Sequence, residues 1–202
     1  MKDLKNVDII CANSVNPHEG TLAIQYCQNF FNFGRSILFT DIEGSADGIE
    51  VIKIDRMNSV NDYNNFMLKI GEYLDNEYVL VVQDDGHIVN PDLWDDEFLN
   101  YDYIGAPWPA HVMNSYIPPQ FNVGNGGFCI RSKRLMEFVA TDNRLVYNSL
   151  EDFMICQLNR AYLEMNGFRF APEDIASKFS WECGEFRDSF GVHQRISLTR
   201  SN

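Results

Sequence analysis

Tyr78-Val-Leu-Val-Val82, followed at once by Gln83-Asp84-Asp85-Gly86, is the stretch that decides the fold. A short, unbroken apolar run ended by polar turn residues is the pattern of a strand covered on both faces. Such strands, alternating with helices, build a largely parallel sheet with helices packed on its faces. Two adjacent acids and a glycine stand directly after the strand, at the carboxyl end where open α/β sheets bind their ligands. Asp84 and Asp85 suit a hard divalent cation shared with a phosphate-containing substrate. Asp-Asp-Gly is also ordinary turn chemistry, because Asp accepts hydrogen bonds from nearby backbone amides. Spacing alone leaves both uses open.

Working outward toward the N-terminus, Val7-Asp-Ile-Ile-Cys-Ala12 is a second buried run and the expected first central strand. After Asn16-Pro17, residues 18 to 33 place Ala23, Cys27, Phe30 and Phe33 at helical spacing, with Gly34 where a C-terminal cap belongs. Ile37-Leu-Phe39 and Ile49-Glu-Val-Ile-Lys-Ile54 read as strands separated by the Gly44/Gly48 loop, and residues 62 to 75 as a helix carrying Phe66, Ile70 and Leu74. Residues of about 1 to 100 therefore form a nucleotide-binding α/β half. Toward the C-terminus, residues 101 to 128 are rich in Gly, Pro, Asn and aromatics and read as loop. Within them, 109 to 122 are expected to form a mobile flap, since long irregular loops in compact domains are usually functional or disordered. Helices are expected at about 132 to 139, capped by Ser132, and at about 150 to 165, striped by Met154, Leu158, Ala161 and Met165. A short segment near Lys178-Phe-Ser-Trp-Glu182 and a polar tail after His193 complete an acceptor and catalytic half of about 101 to 193.

The chain has 202 residues, enough for one domain and no more. Its 45% apolar and 22% charged residues match an ordinary globular protein and exclude disordered, collagen-like and coiled-coil classes. Sixteen Lys and Arg against 29 Asp and Glu give a net charge of −13, which repels phosphate backbones and anionic membranes. Nucleic acid is thus a disfavoured partner. The five cysteines, Cys11, Cys27, Cys129, Cys156 and Cys183, are odd in number, far apart and without a C-x-x-C pair. Reduced, buried thiols in a cytoplasmic protein account for them better than disulfides or structural zinc. No apolar stretch approaches the ~20 residues that span a bilayer, and no membrane anchor or targeting segment is expected.

Other residues carry chemistry under one reading and structure under another. Glu151-Asp152 opens the helix of 150 to 165, where Ser149 and Asp152 resemble a capping box. The same position would hold a general base rigidly at a cleft rim, with the helix dipole keeping its pKa low. His193, in Phe190-Gly-Val-His193, is a surface residue unless the chain folds back to bring its imidazole to Asp85 on a metal. Gly124-Asn-Gly-Gly127 is a tight turn or a loop whose missing side chains let backbone approach a ligand. Trp108, between Pro107 and Pro109, is a core plug or a platform on which a sugar stacks.

The order of these pieces resembles the GT-A glycosyltransferase fold, and within it a bacterial and viral family known as a glycosyltransferase-like domain of unknown function. The resemblance covers about residues 60 to 193. It is carried by Val81-Val-Gln-Asp-Asp-Gly86, Tyr101-Asp-Tyr-Ile-Gly-Ala-Pro-Trp108, Val123-Gly-Asn-Gly-Gly-Phe128, Glu151-Asp152, Ala171-Pro172, Lys178-Phe-Ser180 and Gly191-Val-His193. It implies a single-domain α/β protein with a Rossmann-like nucleotide-binding half, a mixed, mostly parallel sheet and helices on both faces. It also implies a divalent metal, Mn²⁺ or Mg²⁺, bridging the donor's diphosphate. Asp85 falls at the last position of that fold's Asp-x-Asp motif and His193 at its C-terminal metal ligand. Gln83 replaces the motif's first Asp and, with Asp84, Asn125, Gly126 and Gly127, falls on the donor side. Asp152 matches the base of inverting members, with Glu151 and Trp108 on the acceptor side.

The expected activity is transfer of a sugar from a nucleoside-diphosphate sugar, a uridine diphosphate sugar first among them, to an acceptor hydroxyl. The metal offsets the charge of the leaving diphosphate and the base takes the hydroxyl proton. A nucleotidyltransferase would need a basic, glycine-rich loop after the first strand, and Ala12-Asn-Ser-Val-Asn-Pro17 has no Lys or Arg. A non-catalytic nucleotide-sugar-binding module remains as an alternative, because of Gln83. The acceptor, whether polysaccharide, protein or a modified base of viral DNA, is not encoded in any motif.

Overall fold

A computed structural model describes residues 2–111, 113, 116–147 and 150–194. In chain order the regular elements begin with β1 (Lys2–Leu4), β2 (Val7–Ala12), α1 (Pro17–Gln28), β3 (Phe31–Phe33), β4 (Ser36–Thr40), β5 (Glu50–Lys53) and α2 (Val60–Met67). A 3₁₀ turn (Ile70–Tyr73) leads to β6 (Tyr78–Val82), β7 (Gly86–Ile88), β8 (Tyr103–Ile104), β9 (Phe128–Ser132) and α3 (Lys133–Thr141). Then come α4 (Glu151–Phe153), a π turn (Met154–Leu158), α5 (Arg160–Met165), α6 (Glu173–Phe179), β10 (Ser180–Trp181) and β11 (Gly191–His193).

Six strands form the central sheet in the order β5-β4-β2-β6-β9-β8. β5, β4, β2 and β6 are mutually parallel, while β9 runs antiparallel to β6 and β8 antiparallel to β9. Pairing of Ile10 with Val81, and of Val81 with Cys129, puts the two runs singled out in the sequence at the centre of the sheet. Because side chains alternate across a pleated strand, each run feeds two cores. Ile9, Cys11, Leu80 and Val82 pack with α1, whereas Ile10, Val79 and Val81 pack against Met67, Leu135 and Met136 of α2 and α3. Asp8 is buried within β2 and accepts hydrogen bonds from the Arg35 amide at 2.9 Å and Asn76 Nδ2 at 2.6 Å, which explains a charge inside an apolar run. The fold is α/β with helices on both faces, and one sheet draws strands from both halves of the chain. β7, β10 and β11 form a small second sheet.

Three expectations require correction. The helix of 18 to 33 ends at Gln28, and Phe31–Phe33 instead pairs in parallel with Lys2–Leu4. Phe31 and Phe33 are both buried with Asn32 between them turned outward, so a two-residue period overrides the helical one. Gly34 caps no helix; its amide donates to Val7 O at 2.8 Å, and a Cβ there would run into Asn76 and the Lys5 carbonyl. The helix of 62 to 75 stops at Met67 and resumes as the 3₁₀ turn, where Gly71 lets the backbone of α3 approach. The helix of 150 to 165 is broken by the π turn, in which the Asn159 amide donates to Met154 O at 3.0 Å. The Ser132 cap is present, its hydroxyl accepting from Leu135 N at 3.2 Å. Ser149, expected to share a capping box with Asp152, lies outside the described residues.

Candidate active site

β6 delivers its turn to the carboxyl edge of the sheet, where the Gly86 amide donates to Gln83 O at 3.0 Å. β11 returns antiparallel to β7 with His193 opposite Gly86, and the Gln194 amide donates to Asp85 O at 2.8 Å. The imidazole therefore comes to the turn although 108 positions separate it from Asp85. His193 Nε2 lies 3.2 Å from Asp85 Oδ1 and 3.3 Å from Gln83 Oε1, and Nδ1 lies 3.1 Å from Glu182 Oε1. Burial works to lower the His193 pKa, but hydrogen bonds to Asp85 and Glu182 outweigh it and raise the value to about 9. Gln83 Nε2 donates to the Tyr63 hydroxyl at 3.0 Å.

The glycine loop closes over this group. Asn125 takes a positive φ of 64°, and its Oδ1 accepts from the Gly127 amide at 2.9 Å. A Cβ on Gly127 would fall on the His193 ring, and one on Gly86 would strike the Gly127 carbonyl. The glycines thus permit close approach of backbone to a neighbouring side chain and backbone. Asn125 Nδ2 is buried without a hydrogen-bond partner among the described residues.

Across the cleft, the Gly126 amide donates to Asp152 Oδ2 at 2.9 Å and the Phe153 amide to Oδ1 at 2.7 Å. Glu151 is bound by Arg131 Nη2 at 2.6 Å, with side chains 3% and 0% exposed. Burial, and then the charge of Glu151, push the Asp152 carboxyl up to about 7. The dipole argument had the opposite sign: at this helix start desolvation and a like charge outweigh the amides that lower the value. Trp108 is buried, lies against Gly124 and meets the Phe153 ring at a centroid distance of 4.5 Å.

Two adjoining cavities result. One, of ≈ 600 Å³, is bounded by Gln83, Trp108, Asn125, Gly127, Asp152 and His193. The other, of ≈ 480 Å³, is lined by residues 12 to 16, 57 to 60 and Asp84, at the carboxyl ends of β2 and β6. Val60, Tyr63 and Gln83 belong to both. Among the described residues, no Lys or Arg lines either one. The structure gathers Gln83, Trp108, Asn125, Gly126, Gly127, Glu151, Asp152 and His193 along the first cavity and Asp84 along the second, whereas Asp85 lines neither and meets the group through His193. Tyr63, Arg131 and Glu182 were not legible. Tyr63 is one aromatic on an amphipathic helix, Arg131 lies within a buried strand, and Glu182 follows a strand of two residues, so nothing local marks them.

The donor set suits a divalent cation. Two groups bound to one ion at about 2.0–2.2 Å and near a right angle stand roughly 3 Å apart, close to the separations from His193 Nε2 to Asp85 and to Gln83. Glu182 on the other ring nitrogen is the partner that a ligating imidazole requires for orientation. Among the described residues no three His, Cys, Asp or Glu side chains gather as a full cation cage. Were a cation bound there, Asp85, His193 and Gln83 would supply only part of its coordination shell, and phosphate or water would have to complete it.

Residues 48–193 match the family described as "Protein of unknown function (DUF5672)". No curated protein matches the chain. Among solved structures, the galactosyltransferase LgtC in complex with donor and acceptor sugar analogues aligns with a TM-score of 0.57 at 13% identity, over 93% of this chain and 86% of that one. At that identity the likeness is one of fold, and the fold is of the GT-A glycosyltransferase type.

Proposed function

The chain belongs to the DUF5672 family, and on that premise we propose that it transfers a sugar from a nucleoside-diphosphate sugar to an acceptor hydroxyl, with inversion and with Mn²⁺ or Mg²⁺. The observation that carries the proposal is the placing of Asp152, a carboxyl raised to about 7, on the same cavity as Gln83 and His193. A base poised near neutral pH is what removal of a hydroxyl proton asks for.

The nucleoside, read as uridine, belongs in the ≈ 480 Å³ cavity and the donor sugar under the glycine loop. There the unpartnered Asn125 Nδ2 offers a hydrogen bond to a sugar oxygen. Asp85 and His193 would hold the cation, which when bound would supply charge stabilisation to the departing diphosphate. With no Lys or Arg lining either cavity among the described residues, that charge has no side-chain counterpart, which also weighs against nucleotidyl transfer. Asp152 takes the acceptor proton, while Gly126 N and Phe153 N hold its carboxylate in place. Trp108 and Glu151 flank the acceptor side.

The division into a donor half of about 1 to 100 and an acceptor half of about 101 to 193 belongs to this proposal. So does a cytoplasmic site of action, which fits five free cysteines. No helix among the described residues is long and apolar enough to cross a membrane.

The test is release of nucleoside diphosphate from a panel of nucleotide sugars, with Mn²⁺ and with chelator. Turnover that needs both a particular donor and the metal supports the reading. Donor binding without turnover, across acceptors of polysaccharide, protein and DNA type, would instead establish a non-catalytic binding module.

A further inference from the structure

Arg131 is buried outright in β9, a strand whose five residues are all buried. Its guanidinium stands beneath the glycine loop. Nη2 donates to Glu151 Oε1 at 2.6 Å and Nε to Cys129 Sγ at 3.2 Å. A Cβ on Gly126 would meet Glu151 Oε1 at 2.7 Å and Arg131 Nη2 at 3.1 Å, so the loop backbone rests directly on the ion pair. The guanidinium also lies over the Tyr103 ring, 5.2 Å from its centroid, and the Tyr103 hydroxyl donates to Asn125 O at 3.1 Å. Asp152 is tied to the same loop through the Gly126 amide. Stability gives no reason for this pair. The cost of burying two charges can equal or exceed what their attraction returns, and apolar residues of similar volume often serve as well or better. Nη1 adds to the cost, being buried without a hydrogen-bond partner among the described residues. What the pair does have is position, between the loop and the carboxyl of Asp152. Of the other titratable groups around Glu151 and Asp152, Tyr63, Tyr103, Cys129 and Cys156 are kept protonated by burial, and Glu182 and His193 line the same cavity. On the protein side of Asp152 the acting charge is therefore that of Glu151, answered by Arg131.

We propose that Arg131 and Glu151 are positioning residues: the buried cation holds the Glu151 carboxylate under Gly126, and this one contact sets both the seat of the glycine loop and the charge that Asp152 meets. The inference rests on the reading of Asp152 as the base. It adds two residues that act through Asp152 and the loop.

Carbon-13 magnetic resonance of the full chain, labelled at its Asp carboxyls and titrated with acid, tests it, the Asp152 signal being identified by its loss in Asp152→Asn. Glu151→Gln keeps the shape and removes the charge. The Asp152 midpoint should then fall by at least about one pH unit, since a like charge is gone and the Arg131 cation remains. The double variant Arg131→Met, Glu151→Leu removes both charges and should melt near the wild-type temperature. Its Asp152 midpoint should lie between those of Glu151→Gln and the wild type, and its amides of 124 to 127 should exchange faster, the loop having lost its seat. The acid limb of kcat/KM should move with the midpoint in each variant. A purely structural pair predicts a changed melting temperature and an unmoved Asp152 midpoint, and that result would overturn the inference. Loop amides that exchange in the double variant as they do in the wild type would overturn it as well. Midpoints that move as expected in a chain that turns over no nucleotide sugar would overturn the transferase reading and leave the hold of the pair on Asp152 standing.

Discussion

Asp152 is a carboxyl whose burial and acidic neighbour place its titration at about 7, where small changes in pH decide whether it can accept a proton. The sign follows from the chemistry: the base form exists above that value, so kcat/KM should rise with pH through about 7 and be lost below it. Asp152→Asn should lower kcat by about 10²–10⁴-fold and leave UDP and Mn²⁺ affinity nearly unchanged. Since Asn caps a helix about as well as Asp, near-normal turnover by a folded Asp152→Asn chain would make Asp152 a structural residue. Arg131 is a different case, because its partner Glu151 is as deeply buried as it is. Arg131→Met should cost about 3–5 kcal/mol in urea unfolding, the penalty for a buried carboxylate left without its cation. Asp85, Asp152 and His193 were visible in the sequence because they lie in recognisable local runs. Tyr63, Glu182 and Arg131 were not, because they reach the cleft only through tertiary packing, and a sequence window carries no trace of that.

Elements bring these residues together through backbone that tolerates no bulk. Gly127→Ala would push on the His193 ring and displace β11 from the turn after β6. Mn²⁺–UDP affinity should fall about 10–100-fold, as for other groups that orient metal ligands, while far-ultraviolet circular dichroism stays as it was. The loop of 109 to 122 is stitched at its base, where Trp108 N donates to Asn122 O at 2.6 Å and Pro107 bridges Val123. Val112, Asn114 and Ser115 lie outside the described residues. Amides of this loop should exchange faster than those of β6 and slow when a nucleotide sugar and Mn²⁺ bind; exchange as slow as in β6, unchanged by donor, would remove its role as a flap. Elements that are long and buried on both faces, β2 and β6, were legible because no other structure satisfies an unbroken apolar run. Phe31–Phe33 was not, because Phe30 and Phe33 are three apart and satisfy a helical stripe. Only pairing with β1, decided at a distance, selects the extended form.

At the scale of the molecule, β9 of the second half pairs residue for residue with β6 of the first, so the two halves share a sheet and should unfold in a single transition. Four of the five thiols, Cys11, Cys27, Cys129 and Cys156, are buried and free, and Cys183 is partly exposed at the cleft. Iodoacetamide followed by mass spectrometry should modify Cys183 in the native protein and the other four only on unfolding; equal labelling of all five would contradict this packing. β11 lies at the far end of the described chain and carries His193 to a turn made 108 residues earlier. On a ribosome adding roughly 5–20 residues per second, that interval corresponds to about 5–20 s in which Asp85 has been made and its imidazole partner has not. Under the proposed reading, the nascent chain would pass through that period with Asp85 present and its imidazole partner still unmade, so the pair could not hold a cation until residue 193 has been added.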